Sequence, residues 1–162
     1  MKIEQLMTRP AVSCRIDQTA EEAACVMWEY DCGCVPIVRS GDEGADILIG
    51  MITDRDICMA AYTQGRRLAE IPLASAMASD LASCLPEDSV ATVLGIMETR
   101  QLHRLPVVDP EGRLVGIVSL SDLAQEASRE RNRPKKEIAT PRIGEVLQAI
   151  AMPREPRSIQ AA

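Results

Sequence analysis

Gly50-Met51-Ile52-Thr53-Asp54-Arg55-Asp56 and Gly116-Ile117-Val118-Ser119-Leu120-Ser121-Asp122 are one stretch written twice, 66 positions apart. In each, a glycine opens an apolar run, a hydroxyl residue closes it, and an aspartate stands three positions later. Working outward, residues 7–38 return at 77–108 with a shift of 70 and no gap. Met7 meets Met77, Cys14 meets Cys84, Met27 meets Met97, Pro36 meets Pro106 and Val38 meets Val108. The difference of four between the two shifts falls in 39–49 against 109–115, where a loop belongs. Self-similarity at a fixed period sets the architecture before any other signal. Here it gives two copies of one small unit, so any chemistry of the unit occurs twice.

Local signals agree between the copies. Ala11–Ile16 reads as a short extended stretch. Thr19 with Glu22 is a capping box, in which each side chain satisfies an orphan backbone donor at a helix start. The apolar positions that follow, Ala20, Ala23, Ala24 and Met27, have the spacing of one buried helical stripe. Ser89 takes the cap position in the second copy, and Val90, Val93, Leu94 and Met97 form the stripe. Cys34–Val38 and Leu105–Val108 are rich in β-branched residues and read as strands. A proline inside each belongs near a strand start, at an edge or beside a bulge. Polar turns lead to second strands at Ile47–Ile52 and Leu114–Val118, completing hairpins. A second helix starts after Thr53 and after Ser119, ending near Gly65 and near Arg131. Gly50 and Gly116 lie within strands, where a missing side chain lets a ligand or a facing strand approach.

The predicted organisation is a first unit over 1–65, a connector and second unit over 66–128, a basic linker over 129–142, and a short C-terminal helix with its tail over 143–162. That last helix has apolar positions Ile143, Val146, Leu147 and Ile150, and docks on the body or on a second subunit. About 60 residues is marginal for a lone domain, so two copies packing sheet to sheet would share one core. With no Phe and one Trp, that core is aliphatic.

Charge and composition exclude several classes. Residues 1–128 hold 10 Lys/Arg against 20 Asp/Glu, whereas 129–142 holds six basic and two acidic residues. An acidic body argues against duplex DNA as a partner. No long apolar run or signal stretch is present, so a cytoplasmic protein away from membranes is expected. The six cysteines lack the context of a disulfide framework and read mainly as small buried residues, with a thiol switch as the other reading. One histidine, His103, leaves no metal site of usual spacing and no nucleophile–base arrangement. A Walker-type loop is absent. An enzyme is not expected.

The duplicated unit, with a glycine–apolar–apolar–Ser/Thr–x–x–Asp signature at its second-strand-to-helix junction, resembles the CBS domain over roughly residues 5–128. The resemblance implies an α+β fold: two tandem CBS units packed sheet to sheet with pseudo-two-fold symmetry, plus the short C-terminal helix. It implies a regulatory module that binds AMP, ADP, ATP or S-adenosyl methionine in the cleft between units, with no catalysis, no required cofactor and an effector protein still to be identified. It also implies a homodimer formed through the helices. Carried over residue by residue, Thr53 and Ser119 bond phosphate or ribose, and Asp56 and Asp122 accept from the ribose hydroxyls. Adenine contacts fall on Gly33, Cys34 and Val35 in the first copy and on His103, Arg104 and Leu105 in the second. Arg104, with its bidentate fork, and Arg55 are phosphate candidates.

The residues allow plainer roles as well. Thr53 and Ser119 are good caps, each with a carboxylate in its first helical turn. A helix start also favours an anion. Arg104 could pair with a surface carboxylate such as Glu98. The competing function is a protein-interaction or redox-responsive scaffold with vestigial clefts, favoured if Met51, Met77 or Arg104 plugs them.

Overall fold

The computed structural model describes residues 1–130 and 137–153. Each unit is a hairpin with a helix before it and a helix after it. In the first, β1 (Cys14–Arg15) runs parallel to β2 (Cys34–Ser40), which pairs antiparallel with β3 (Asp46–Thr53). Helices α1 (Ala20–Glu29) and α2 (Asp54–Gln64) flank that hairpin in sequence. In the second, α3 (Val90–Arg100) precedes β4 (Arg104–Val108), and α4 (Leu120–Arg129) follows β5 (Leu114–Ser119). A single parallel bridge from Cys84 to Val107 stands where β1 pairs in the first unit.

The local signals behave as their chemistry requires. Thr19 and Glu22 close the capping box, Thr19 N donating to Glu22 Oε2 at 2.8 Å. Ser89 Oγ accepts from Thr92 N at 3.1 Å. All four stripe residues of α3 are buried. In α1 Ala24 is only half-buried, packed against the first core at the edge of a cavity between α1 and α2. Gly65 ends α2 at φ 61°, the left-handed conformation that glycine adopts without strain. Each strand proline is followed by a register shift, between Ile37 and Val38 and between Val107 and Val108, so a bulge is the home of both.

The packing does not follow the chain boundary at residue 65. Residues 1–8 lie on the second unit. Ile3 is fully buried in its core, its N–H donates to Asp88 O at 3.0 Å, and Thr8 bridges Ile117. Residues 71–78 lie on the first unit in the matching way. Leu73 is fully buried there, its N–H donates to Gln18 O at 3.1 Å, and Ala78 bridges Met51. The hydrophobic segment ahead of each unit thus completes the other unit. The cores are correspondingly two clusters. The sheets meet where Leu48 N donates to Gly112 O at 3.1 Å and Ile47 bridges Arg113.

The C-terminal helix α5 (Thr140–Ala151) docks on the body, against α3 and α4. Val146 and Ile150 enter the second core, while Leu147 turns outward and is 50% exposed. Buried Glu130 accepts the N–H groups of Glu137 and Ile138 at 2.8 and 3.0 Å. The part of the basic linker at 131–136 and the tail at 154–162 lie outside the described residues. Among the described residues no helix is long and apolar enough to cross a membrane.

Candidate functional site

Each strand-to-helix junction is built by one hydroxyl and one carboxylate. Thr53 leaves β3 in extended conformation and caps α2. Its N–H and Oγ1 both donate to Asp56 Oδ2, at 3.0 and 2.7 Å, and Oγ1 accepts from Asp56 N at 3.1 Å. Ser119 and Asp122 repeat the arrangement at 2.8, 2.6 and 3.2 Å. Both pairs are half-buried. The geometry separates their two expected roles. Asp56 and Asp122 take both local bonds on Oδ2, leaving Oδ1 to accept from a vicinal diol. The hydroxyl protons of Thr53 and Ser119 are already given to the carboxylates, so a phosphate oxygen must compete for them.

One side chain ties the junctions together. Arg104 Nη1 donates to Cys34 Sγ at 3.7 Å, and these residues are repeat equivalents. Cys34 is the strand partner of Thr53, and Arg104 of Ser119. Arg104 therefore crosses from the second junction to the first. A thiol is a weak acceptor for a guanidinium. Burial pushes the Cys34 thiol pKa up, and the Arg104 charge opposes that rise. The carboxylate suggested from sequence for Arg104 is taken by another cation: Glu98 forms an ion pair with Arg142 of α5.

The remaining candidates separate. His103, Arg104 and Ser119 line one cavity of about 260 Å³, roofed by Ile143 and Leu147 of α5. Gly33 lines a different cavity, of about 400 Å³, between α1 and the start of α2. Its carbonyl accepts from Asp54 N at 3.1 Å, as the His103 carbonyl accepts from Leu120 N at 2.8 Å. Val35 is 1% exposed in the first core, so its side chain meets other core residues. Arg55 is exposed on α2.

Each strand glycine is approached by a segment from the other copy, though not by one of its named strands. A Cβ on Gly116 would meet Met7 Sδ at 2.7 Å and Thr8 O at 3.0 Å. On Gly50 it would meet the Met77 side chain and Ala78 O at 3.4 Å. The approaching groups come from the exchanged segments. Sequence reasoning saw Met7 and Met77 as a matched pair and named Met77 as a possible plug, but gave Met7 no role, and it missed Asp54, which lines the larger cavity. The pairing of Met7 and Met77 in the repeat was the available signal; Asp54 had none, since Leu120 stands at its equivalent.

The free cysteines divide by burial. Cys14, Cys34 and Cys84 are buried and Cys25 and Cys58 exposed. Desolvation raises Cys14 to about 11 and Cys84 to about 12.

Comparison with known proteins fits this geometry. The CBS domain pattern matches residues 3–62 and again 69–129. The chain belongs to the CBS-domain family. It is a tandem CBS pair. The CBS domain-containing protein YhcV of Bacillus subtilis is 37% identical over 122 residues, which is 75% of this chain and 82% of that protein. The CBS domain protein PAE2072 of Pyrobaculum aerophilum, solved in complex with AMP, superposes with a TM-score of 0.68 at 25% identity, covering 79% of this chain and 94% of that one. The CBS pair of protein MJ0100, solved with 5′-methylthioadenosine and S-adenosyl-L-methionine, gives a TM-score of 0.66 at 25% identity, covering 77% and 98%.

Proposed function

We propose that this CBS pair is a regulatory module that binds an adenosine-containing ligand between its units and carries out no catalysis. The observation that carries the reading is the pair of hydroxyl–carboxylate junctions, each half-buried with a carboxylate oxygen open, joined by Arg104. A vicinal diol donates to Oδ1 of Asp56 or Asp122. A phosphate recruits Arg104, which gives up only a weak bond to Cys34 in exchange for a charge-assisted one. The AMP, methylthioadenosine and S-adenosyl methionine bound by the two structural relatives support the ligand class. The second unit is the better phosphate end, because His103, Arg104 and Ser119 share one lining there. Adenine entry over Gly50 or Gly116 requires the Met77 or Met7 side chain to swing aside, and thioether chains do so readily. The module works in the cytoplasm as a homodimer and passes its signal to a separate effector protein.

The methionines also favour a second reading, a protein-interaction scaffold with plugged clefts. One measurement divides the two. Melting temperature is recorded with AMP, ADP, ATP, S-adenosyl methionine and NADH in turn. A ligand at a hundredfold excess over its Kd stabilises by about 2.7 kcal/mol, a shift of several degrees for a chain of this size. Asp56→Ala and Asp122→Ala then identify the occupied junction, and Arg104→Gln weakens phosphate-bearing ligands more than S-adenosyl methionine. Five unshifted melts at millimolar ligand leave the scaffold reading in place.

A further inference from the structure

One guanidinium stands between two carboxylate-bearing junctions. Arg104 opens β4 opposite Ser119, yet its Nη1 donates at 3.7 Å to Sγ of Cys34, which opens β2 opposite Thr53. The two junctions therefore lie within the reach of a single side chain. Burial raises the Cys34 thiol pKa, the Arg104 cation opposes that rise, and the Asp54 carboxylate is among the smaller contributions that add to it. Both charges are thus felt at the first junction. The bond that holds Arg104 there is to a thiol, a weak acceptor, so the guanidinium is cheaply released.

The junctions differ in charge. The helix start at the first carries Asp54 and Asp56, where the second has Leu120 and Asp122. Asp54 Oδ1 accepts from Arg55 N at 2.7 Å, which keeps the extra carboxylate on the first turn. Arg55 is exposed on α2, and Cys34 stands where the second unit has its half-buried arginine. The first junction thus has two carboxylates and a borrowed guanidinium. The second has one carboxylate and owns the guanidinium, with His103 in the same lining. A phosphate at the second junction would take both prongs of the Arg104 fork and draw it off Cys34. A second phosphate, within one arginine's length of the first, would then face it with no shared cation between them, and like charges that close repel.

We infer that the two junctions share Arg104 as their one phosphate-binding cation, so that the chain holds a single phosphate-bearing ligand, at the second junction, and leaves the first to adenosine ligands without a phosphate. One side chain then couples the sites. A phosphate at either junction disfavours a phosphate at the other by the same factor, because linkage is reciprocal. A ligand without phosphate makes no demand on Arg104 and is indifferent to where the guanidinium lies. The inference rests on the adenosine-binding reading above and adds how its two sites divide their ligands.

The test is calorimetric titration of the full chain with AMP and with methylthioadenosine, which lacks the phosphate. AMP is expected to bind at one equivalent per chain, and the AMP-saturated chain is expected to take up one equivalent of methylthioadenosine. In that doubly loaded chain Asp122→Ala is expected to lose the AMP and Asp56→Ala the methylthioadenosine. Arg104→Gln is expected to weaken AMP by at least about tenfold and methylthioadenosine by less than about twofold. Cys34→Arg supplies the second fork and is expected to raise the AMP count to two. Cys34 is buried, so a melting curve first checks that this variant folds; if it does not, the count on the unaltered chain and Arg104→Gln decide. Two independent equivalents of AMP, AMP that shuts out methylthioadenosine, AMP refused while methylthioadenosine binds, or AMP affinity untouched by Arg104→Gln overturns the inference and leaves the adenosine-binding reading standing. A chain that takes up neither compound, nor any ligand of the melting series above, overturns that reading as well.

Discussion

Position 34 holds a buried thiol and position 104 a guanidinium, although both open the first hairpin strand of their unit and both face a capping hydroxyl. The same division recurs across the molecule. Residues that set the backbone are kept in both units: the cap, the strand proline, the strand glycine, the methionine laid over it. Residues that look outward differ. Gly33, Trp28 and Asp54 in the first unit stand where His103, Glu98 and Leu120 stand in the second. The first unit keeps an open groove, and the second is closed by α5. One backbone therefore carries two environments, a bare acidic one and a roofed one that holds the only histidine and a guanidinium.

Core truncation breaks this comparison most sharply. Ile57 and Leu123 are repeat equivalents, but Leu123 is fully buried beneath the α5 side while Ile57 is 6% exposed beside the open groove. Leu123→Ala is expected to cost about 3 kcal/mol, and Ile57→Ala clearly less, in urea unfolding. Equal losses would mean that α5 adds nothing to packing in the second unit.

The strand glycines sharpen it next. Gly116→Ala drives a Cβ against Thr8 O, a backbone atom held by its bridge to Ile117, whereas Gly50→Ala displaces mainly the flexible end of Met77. Gly116→Ala is expected to be destabilising by about 2 kcal/mol and Gly50→Ala by about half of that. A reversed order would place the rigid contact in the first unit.

The smallest effect tests where the units should agree. Cys14 and Cys84 have folded-state pKa values of about 11 and 12, above the ordinary 9.0, because burial disfavours the thiolate. The folded chain thus holds protons that the unfolded chain releases as pH rises past 9. Stability is full below that value and is lost through the range up to 11 and 12. Cys14→Ala and Cys84→Ala should each flatten part of the alkaline decline when unfolding is followed against pH. At neutral pH a thiol reagent should label Cys25 and Cys58 first, being exposed.

The sequence made the backbone legible because its signals are local. Thr19 with Glu22, Ser89, Gly65 and the paired aspartates act within a few residues, and the repeat states each signal twice. What lay hidden depends on contacts between distant segments. Nothing near Ile3 announces that its pocket is built by Asp88 and the second core. The partner of Arg104 could not be read either, since Glu98, the nearest carboxylate by pattern, is claimed by Arg142 from 44 positions away. Of the ligand candidates, Thr53, Asp56, Ser119 and Asp122 sit where the signature predicts. Val35 shows the limit of carrying a role by position: its side chain is spent on the interior.

The crossing of residues 1–8 and 71–78 ties the history of the chain to its form. On a ribosome the first unit cannot close until the polypeptide has grown past Ala78, and the opening eight residues wait for a domain not yet made. A gene cut at codon 65 would yield two fragments, each carrying the other's missing clasp, and only their reunion would give a whole molecule.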